Sequence, residues 1–417
     1  MAGELANFRV IEHSAFVAAP LAGMSLAQMG AEVIRIDPID GPLDRSRWPV
    51  TPTGASLYWA GLNKGKKSIL IDVRSPEGQE LATALVCSGA DRGGILLTNL
   101  GARGWASYEN LSRRRKDVIL AALSGFPDGT AAVDYTVNCA TGLPYLNAGA
   151  SPDAPVNGVL PAWDITTGLT LAMGILGAER HRRLTGEGQQ VNLALSDVAF
   201  AMMGNLGFIG EAQINGHARK AEGNYVYGTF GRDFATGDGR RVMVTSFTLR
   251  HWKALCEACD MSKAVAELER RRGVSLDADA ERYAAREDIS ALVAPWIGAR
   301  PLEAVRQQFD AHGVCWGLYQ DYGQLATELE NEDPRCSPAN AVFREVTQPG
   351  IGTLSAPGTP LQFGATACRD TAENNRYIAP RSGEHTDQVL SGVLSLSAGE
   401  IGRLHDRHIV AGLSTRD

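Results

Sequence analysis

No stretch of these 417 residues approaches the ~20 consecutive apolar positions of a membrane-spanning helix. The start, MAGELANFRVIEHSAF, lacks the positively charged opening and apolar stretch of a secretion signal. Positive charge is scarce as well: 40 Lys and Arg against 47 Asp and Glu leave a formal net charge of -7. A general nucleic-acid binder needs the opposite balance, because it must neutralise phosphates. Neither a nucleic-acid partner nor a membrane partner is therefore expected. Cysteine is sparse too, with 7 residues, an odd number spread from Cys87 to Cys368. That pattern predicts free thiols in a reducing, cytoplasmic setting. Cys256 and Cys259 form a C-x-x-C with no second pair to complete a zinc site, so they read as one face of a helix. His405 and His408 stand equally alone, and no metal is expected.

Several phosphate-binding and nucleophile signatures are missing. Between the first predicted strand and helix the chain reads EHSAFVAAPLAG, not G-x-G-x-x-G, which argues against a nicotinamide dehydrogenase with Asp37 on the ribose. There is no G-x-x-x-x-G-K-[ST] loop and no G-x-S-x-G elbow. Ser68 and Ser196 have no evident histidine partner.

What is present is an α/β pattern. FRVIE (8–12) reads as a strand, 20–31 as a helix, EVIRIDP (32–38) as a strand, 66–73 as a strand, 76–89 as a helix, and 93–100 and 117–126 as strands. Such alternation predicts a parallel, doubly wound sheet. The length exceeds one ordinary core, so two lobes are expected. The boundaries drawn are 1–212 for a large domain, 213–335 for a linker and a smaller α+β domain, and 336–417 for a return linker, beginning in ENEDPRCSP (330–338), and the end of the large domain. Arg35, Arg45, Arg47, Lys64, Lys66, Lys67, Arg74 and Arg103 lie at predicted strand ends and loops of the first lobe. Singly each is a solvated charge; together they offer a site for a phosphorylated ligand.

The residues of LPAWDITTGLTLAMGILGAERHRRLTG pose a question. Asp164 stands alone at the mouth of a helix of small, apolar residues. It is either an N-cap, worth ~1 kcal/mol, or the group that does the chemistry.

SAFVAAPLAGMSLAQMGAEVIRIDP, SLYWAGLNKGKKSILIDVRSPEGQEL, PAWDITTGLTLAMGILGAERHRRLTGEGQ and GEHTDQVL together resemble the family III coenzyme A transferases, a group that includes formyl-CoA transferase and α-methylacyl-CoA racemase. The resemblance implies a Rossmann-like large domain built from both chain ends, a smaller domain, and an interlocked, ring-like homodimer. It implies an acyl-CoA substrate, with coenzyme A as part of that substrate and no tightly bound cofactor. It implies that Asp164, in D-x-x-x-G, is the nucleophile carrying CoA as an aspartyl thioester, with Thr166, Thr167 and Gly168 leaving room for the acyl group and offering backbone N–H groups. CoA contacts are implied at Val17, Ala18, Ile71, Asp72, Val73, Arg74, Asn99, Leu100, Gly101, Arg103, Asp134 and Tyr135. Pro38 stands where formyl-CoA transferases have a basic residue, leaving Arg35 or Arg45 to compensate. Val133 stands where the racemase has its histidine, and racemisation needs two proton-exchanging groups.

The narrowest expectation is CoA transfer within one molecule, from C1 to C4 of a branched unsaturated C5 dicarboxylate such as mesaconate. The alternative is transfer between a small acyl-CoA and a separate dicarboxylic acid. Arg47, Arg232 or His13 is expected to hold the unreacted carboxylate. GNYVYGTFG (223–231) is bulkier than the glycine run that formyl-CoA transferases have there, which favours a tighter pocket.

Overall fold

The computed structural model describes residues 4–147, 154–329, 342–361, 363 and 376–413. Its elements begin β1 (Arg9–His13), α1 (Ala18–Gln28), β2 (Glu32–Asp37), α2 (Leu57–Leu62), β3 (Lys67–Ile71), α3 (Pro76–Cys87) and β4 (Ile95–Thr98). They continue with α4 (Tyr108–Arg114), β5 (Ile119–Ser124), α5 (Asp134–Ala140), α6 (Ala162–Thr185), β6 (Gln189–Ala194), α7 (Leu195–Asn205) and α8 (Phe208–Asn215). Local chemistry sets several of these limits. Ser75 caps α3 by accepting from the Gly78 amide, with Pro76 in the first turn, where its missing N–H costs nothing. Gly186 ends α6 in the left-handed region at φ 77°, open to glycine without a Cβ penalty.

Residues 1–144, 156–219 and 338–417 form one compact unit, and 145–155 with 220–337 form the other. The second unit holds β7 (Gly231–Ala235), β8 (Arg241–Thr245), α9 (Leu249–Ala258), α10 (Ser262–Arg272), α11 (Asp279–Ala284), α12 (Arg286–Gly298), α13 (Leu302–His312), β9 (Cys315–Leu318) and α14 (Tyr322–Glu328). Its sheet, β7-β8-β9, is antiparallel, and its core gathers Phe230, Trp252, Leu255, Ile289 and Phe309. Cys256 and Cys259 are buried in that core, where desolvation pushes both thiols up to about 12. They are apolar filling, as the helix-face reading expects. The chain re-enters the first unit through β10 (Phe343–Gln348), β11 (Gly352–Pro357), α15 (Thr386–Leu394), α16 (Ala398–Asp406) and β12 (Val410–Ala411). The expected return stretch at 330–338 lies outside the described residues.

The first unit is organised by a seven-stranded sheet in the order β12-β3-β2-β1-β4-β5-β6. Every pairing is parallel except β12 with β3. The inner strands are buried on both faces, which explains apolar stretches such as 33–34, 69–71 and 95–97, while β6 at the edge alternates with exposed residues. Val10, Val33, Ile95 and Ile119 pack with α1 and α6. Their neighbours Ile11, Ile34, Leu96 and Leu120 point the other way, into a layer with α3, α15 and α16. Chain order reverses between β1 and β4, so the carboxyl ends of these strands open the crevice where such sheets take ligands. Among the described residues no helix is long and apolar enough to cross a membrane.

Candidate functional site

The mouth of α6 answers the capping question. Asp164 sits in the first turn, but it does not cap the helix. Asp134, at the start of α5, does so from outside: its Oδ2 accepts from the amides of Trp163 at 2.7 Å and Asp164 at 3.0 Å. Ala162 and Ile165 donate to the carbonyls of Leu160 and Pro161. The four leading amides of α6, at 162–165, are therefore spent, while Thr166, Thr167 and Gly168, expected to offer N–H groups, lie further along the same helix. Gly168 also has another use than making room. A Cβ there would lie 2.6 Å from the Ala18 carbonyl and against Leu21, so glycine is what lets α6 approach α1. Thr166 Oγ1 donates to the Ala162 carbonyl, and Thr167 is fully buried.

Relieved of capping, the half-buried Asp164 carboxyl is set by its surroundings. Burial pushes it up to about 6, the Asp134 charge pushes the same way, and Arg47 pulls it down. A carboxylate of this kind is mostly ionised at neutral pH yet poorly hydrated, which favours nucleophilic attack. Replacing Asp134 by asparagine keeps an acceptor for the two amides but removes the neighbouring charge. The acid limb of kcat/KM is then expected to move to lower pH, so activity persists in more acid buffer. An unchanged limb in the pH profile would show that Asp134 acts only as a cap.

The other expected CoA contacts gather on carboxyl-end loops of the sheet. Val17 and Ala18 begin α1; Ile71 ends β3, and Asp72 after it accepts from the Arg74 amide and Nε. Asn99, Leu100 and Gly101 follow β4, with Asn99 bonded both ways to the Ala15 backbone at 2.9 and 2.8 Å. Gly101 turns at φ 99°, beside the exposed Arg103. Tyr135, next to Asp134 on α5, donates to the Val159 carbonyl. β1 and β4 loops are thus tied together, with β3's loop two strands away.

The expected basic set divides. Arg35 and Lys66 are not ligand cations: both are buried and spent on acids. Arg35 bonds Asp37 at 3.1 Å, Asp44 at 2.9 Å and Asn63 at 3.0 Å, and lies over the Trp59 ring. Lys66 bonds Glu12 and Asn63, each at 2.9 Å. Lys64 is also buried, donating to the Gly61 carbonyl, and desolvation lowers it to about 8. Lys67 pairs with Glu32. Arg74 and Arg103 are exposed at the loops just described, and the buried Arg35, bonded to Asp37 and Asp44, is not available to compensate for Pro38. Asp37, the rejected ribose acid, is sealed beneath Arg35.

Of the three expected carboxylate holders, burial lowers His13 to about 4, so it is neutral; its ring packs on Trp105. Arg232 belongs to the second unit, where its Nη1 donates to Tyr225 and its charge lies over Tyr225 and Phe234. Tyr225 also donates to Glu287, and Tyr227 packs on Tyr283. Arg47 is the one whose charge acts on Asp164. Three residues that shape this site carry no mark in the sequence: Phe16, Asp44 and Tyr58. Phe16 and Tyr58 stand among small and apolar residues and read as ordinary core, and Phe16 matters through a backbone angle no composition reveals.

A family model described as CoA-transferase family III matches residues 5–386. The chain is 52% identical over 413 residues to 2-methylfumaryl-CoA isomerase of Chloroflexus aurantiacus, covering 99% of each. It is 29% identical over 408 residues to succinyl-CoA:mesaconate CoA-transferase of Haloarcula marismortui, covering 93% of this chain and 96% of that one. In fold it is similar to a CaiB/BaiF family protein from Brucella suis, with a TM-score of 0.75 over 94% of this chain and 100% of that one, at 20% identity.

Proposed function

The chain belongs to CoA-transferase family III, and from that premise we propose that it moves CoA from the C1 to the C4 carboxyl of 2-methylfumaryl-CoA, also called mesaconyl-CoA, through a thioester on Asp164. The observation that carries the substrate is the 52% identity, end to end, with a 2-methylfumaryl-CoA isomerase, against 29% with a transferase that serves two separate acids. What supports the nucleophile is an acid at the head of α6 that another acid relieves of capping.

The steps balance without a proton donor. The Asp164 carboxylate attacks the C1 thioester carbonyl and expels CoA thiolate, leaving a mixed anhydride. The thiolate attacks the aspartyl carbonyl of that anhydride, giving aspartyl-CoA thioester and the free dicarboxylate. The C4 carboxylate then attacks the aspartyl thioester and again expels thiolate. Attack of this thiolate on the C4 carbonyl restores the Asp164 carboxylate. A carboxylate suits the task because each intermediate, anhydride or thioester, stays as activated as the substrate, whereas a serine ester would trap the acyl group. Val133 at the start of α5 supplies no proton-exchanging group, which disfavours racemisation.

CoA enters as part of the substrate. Its nucleotide end is placed on the loops after β1, β3 and β4, with Arg74 and Arg103 as the exposed cations. The same reading takes the chain as a cytoplasmic homodimer with interlocked, ring-like subunits. Leu169 and Met173 on α6, and Ile209 and Ile214 on α8, are exposed apolar side chains that such a dimer would cover. Free thiols at the described cysteines suit a reducing compartment.

Purified enzyme incubated with mesaconyl-C1-CoA and isotopically labelled free mesaconate is expected to yield mesaconyl-C4-CoA with almost no label. Label entering the thioester as fast as the isomer forms would replace this reading with transfer between separate acids. Absence of the C4 isomer would remove it.

A further inference from the structure

A dicarboxylyl thioester brings a second, unreacted carboxylate to the site, and this inference rests on the reading above that such a thioester is the substrate. Arg47 is placed to meet it. Its guanidinium carbon lies 5.4 Å from the centroid of the Phe16 ring and 5.1 Å from that of Tyr58. Guanidinium groups favour aromatic faces, and a side chain leaning on two rings loses little further freedom when it binds. Its in-plane N–H edge is the part shaped to bond both oxygens of a carboxylate.

The support under Arg47 is built with care. Phe16 has φ 69°, in the left-handed region that a bulky residue enters only at a cost of order 1–2 kcal/mol. Its amide donates to Asp44 Oδ2 at 3.1 Å, and Asp44 Oδ1 in turn accepts from the buried Arg35. On the other side, the carbonyl of Arg47 accepts from Ser56 Oγ at 2.6 Å, and Ser56 caps the helix that carries Tyr58. Backbone strain of this sort persists only where its surroundings enforce it, and it gathers at functional sites. Here it turns an aromatic face toward an arginine whose charge reaches Asp164.

We propose that Arg47 binds the substrate's unreacted carboxylate and so selects dicarboxylyl over monocarboxylyl thioesters. One consequence concerns the path of the acid. In the first half-reaction C1 is joined at Asp164 while C4 rests on Arg47; in the second the two ends exchange places. With a single cation serving both halves, the freed dicarboxylate turns end for end between Arg47 and Asp164 without leaving.

The test compares mesaconyl-C1-CoA with 2-methylcrotonyl-CoA, in which a methyl replaces the C4 carboxylate. Formation of the aspartyl-CoA adduct is followed by peptide mass. Wild type is expected to prefer the dicarboxylyl thioester by about 10- to 100-fold, the range for a charge-assisted hydrogen-bonded pair. Arg47→Met also removes a charge that acts on Asp164, so the readout is the ratio of the two thioesters at pH 8: it is expected to collapse from that factor to within about threefold. Arg47→Lys should fall between. Equal slowing of both substrates, or a preference that survives Arg47→Met, would overturn the assignment. Formation of the C4 isomer by wild type is scored in the same samples. An adduct without isomer would overturn the proposed reaction while leaving the Arg47 comparison readable.

Discussion

Asp164→Asn is expected to abolish CoA transfer, cutting kcat by about 10⁴-fold or more, as removal of a covalent nucleophile does. The same substitution is expected to make the protein more stable, and that pairing is the diagnostic result. Asp164 is pushed up to about 6 by burial, then by Asp134, with Arg47 opposing. A carboxyl whose folded-state pKa lies above its unfolded value near 3.8 binds more protons when folded, so stability falls as pH rises through the window from about 4 to about 6. Above that window the ionised group costs up to about 3 kcal/mol, since each tenfold change in an ionisation equilibrium is worth ~1.4 kcal/mol, and asparagine avoids the cost. The helix should not suffer, because Asp134 supplies the cap. Urea unfolding at pH 8 should therefore show Asp164→Asn above wild type, with the two converging near pH 4. Wild-type kcat/KM should rise with pH through about 6 as the nucleophile ionises. A variant that loses activity and stability together would mean that Asp164 holds the fold rather than the chemistry.

Much of the first unit is legible in the sequence because its inner strands are buried on both sides and announce themselves as apolar runs. EVIRID and KSILI appear within a residue or two of where their composition puts them. The short, late β12 is not, since its two residues follow a helical stretch and pair antiparallel at the sheet edge. Asp164 stands out as an acid in an odd place, but the residue that frees it, Asp134, lies 30 positions away and reaches it only through the fold. The basic residues mislead as a group for a similar reason. Arg35 and Lys66 sit in alternating strand sequence and look solvent-directed, yet the acids that neutralise them come from β1, β2 and the loop holding Asp44. Charge pairing over such separations leaves no periodic trace, whereas apolar burial does.

That hidden network carries the largest expected effect on stability. Replacing Arg35 by methionine is expected to cost about 3–5 kcal/mol, the range for removing one partner from a buried ionic cluster. Arg35 is 1% exposed and is the shared partner of Asp37 and Asp44, with Glu12 3.8 Å away. Even with Arg35 opposing, burial holds Asp37 up to about 6. Without the guanidinium, Asp37 is raised further above its unfolded value, so the folded variant favours its protonated form. By the same linkage the deficit of Arg35→Met against wild type should grow as pH rises and be smaller at pH 5 than at pH 8. Adding Asp44→Asn to Arg35→Met should recover part of the loss, since one orphaned charge is removed. Asparagine at position 44 keeps an oxygen to accept the Phe16 amide, so the double variant should retain the ring that supports Arg47. Urea unfolding of the single and double variants at the two pH values reads these differences directly. A deficit below about 1 kcal/mol, the scale of a surface ion pair, or one independent of pH, would mean that the cluster relaxes or admits water when its central cation is lost.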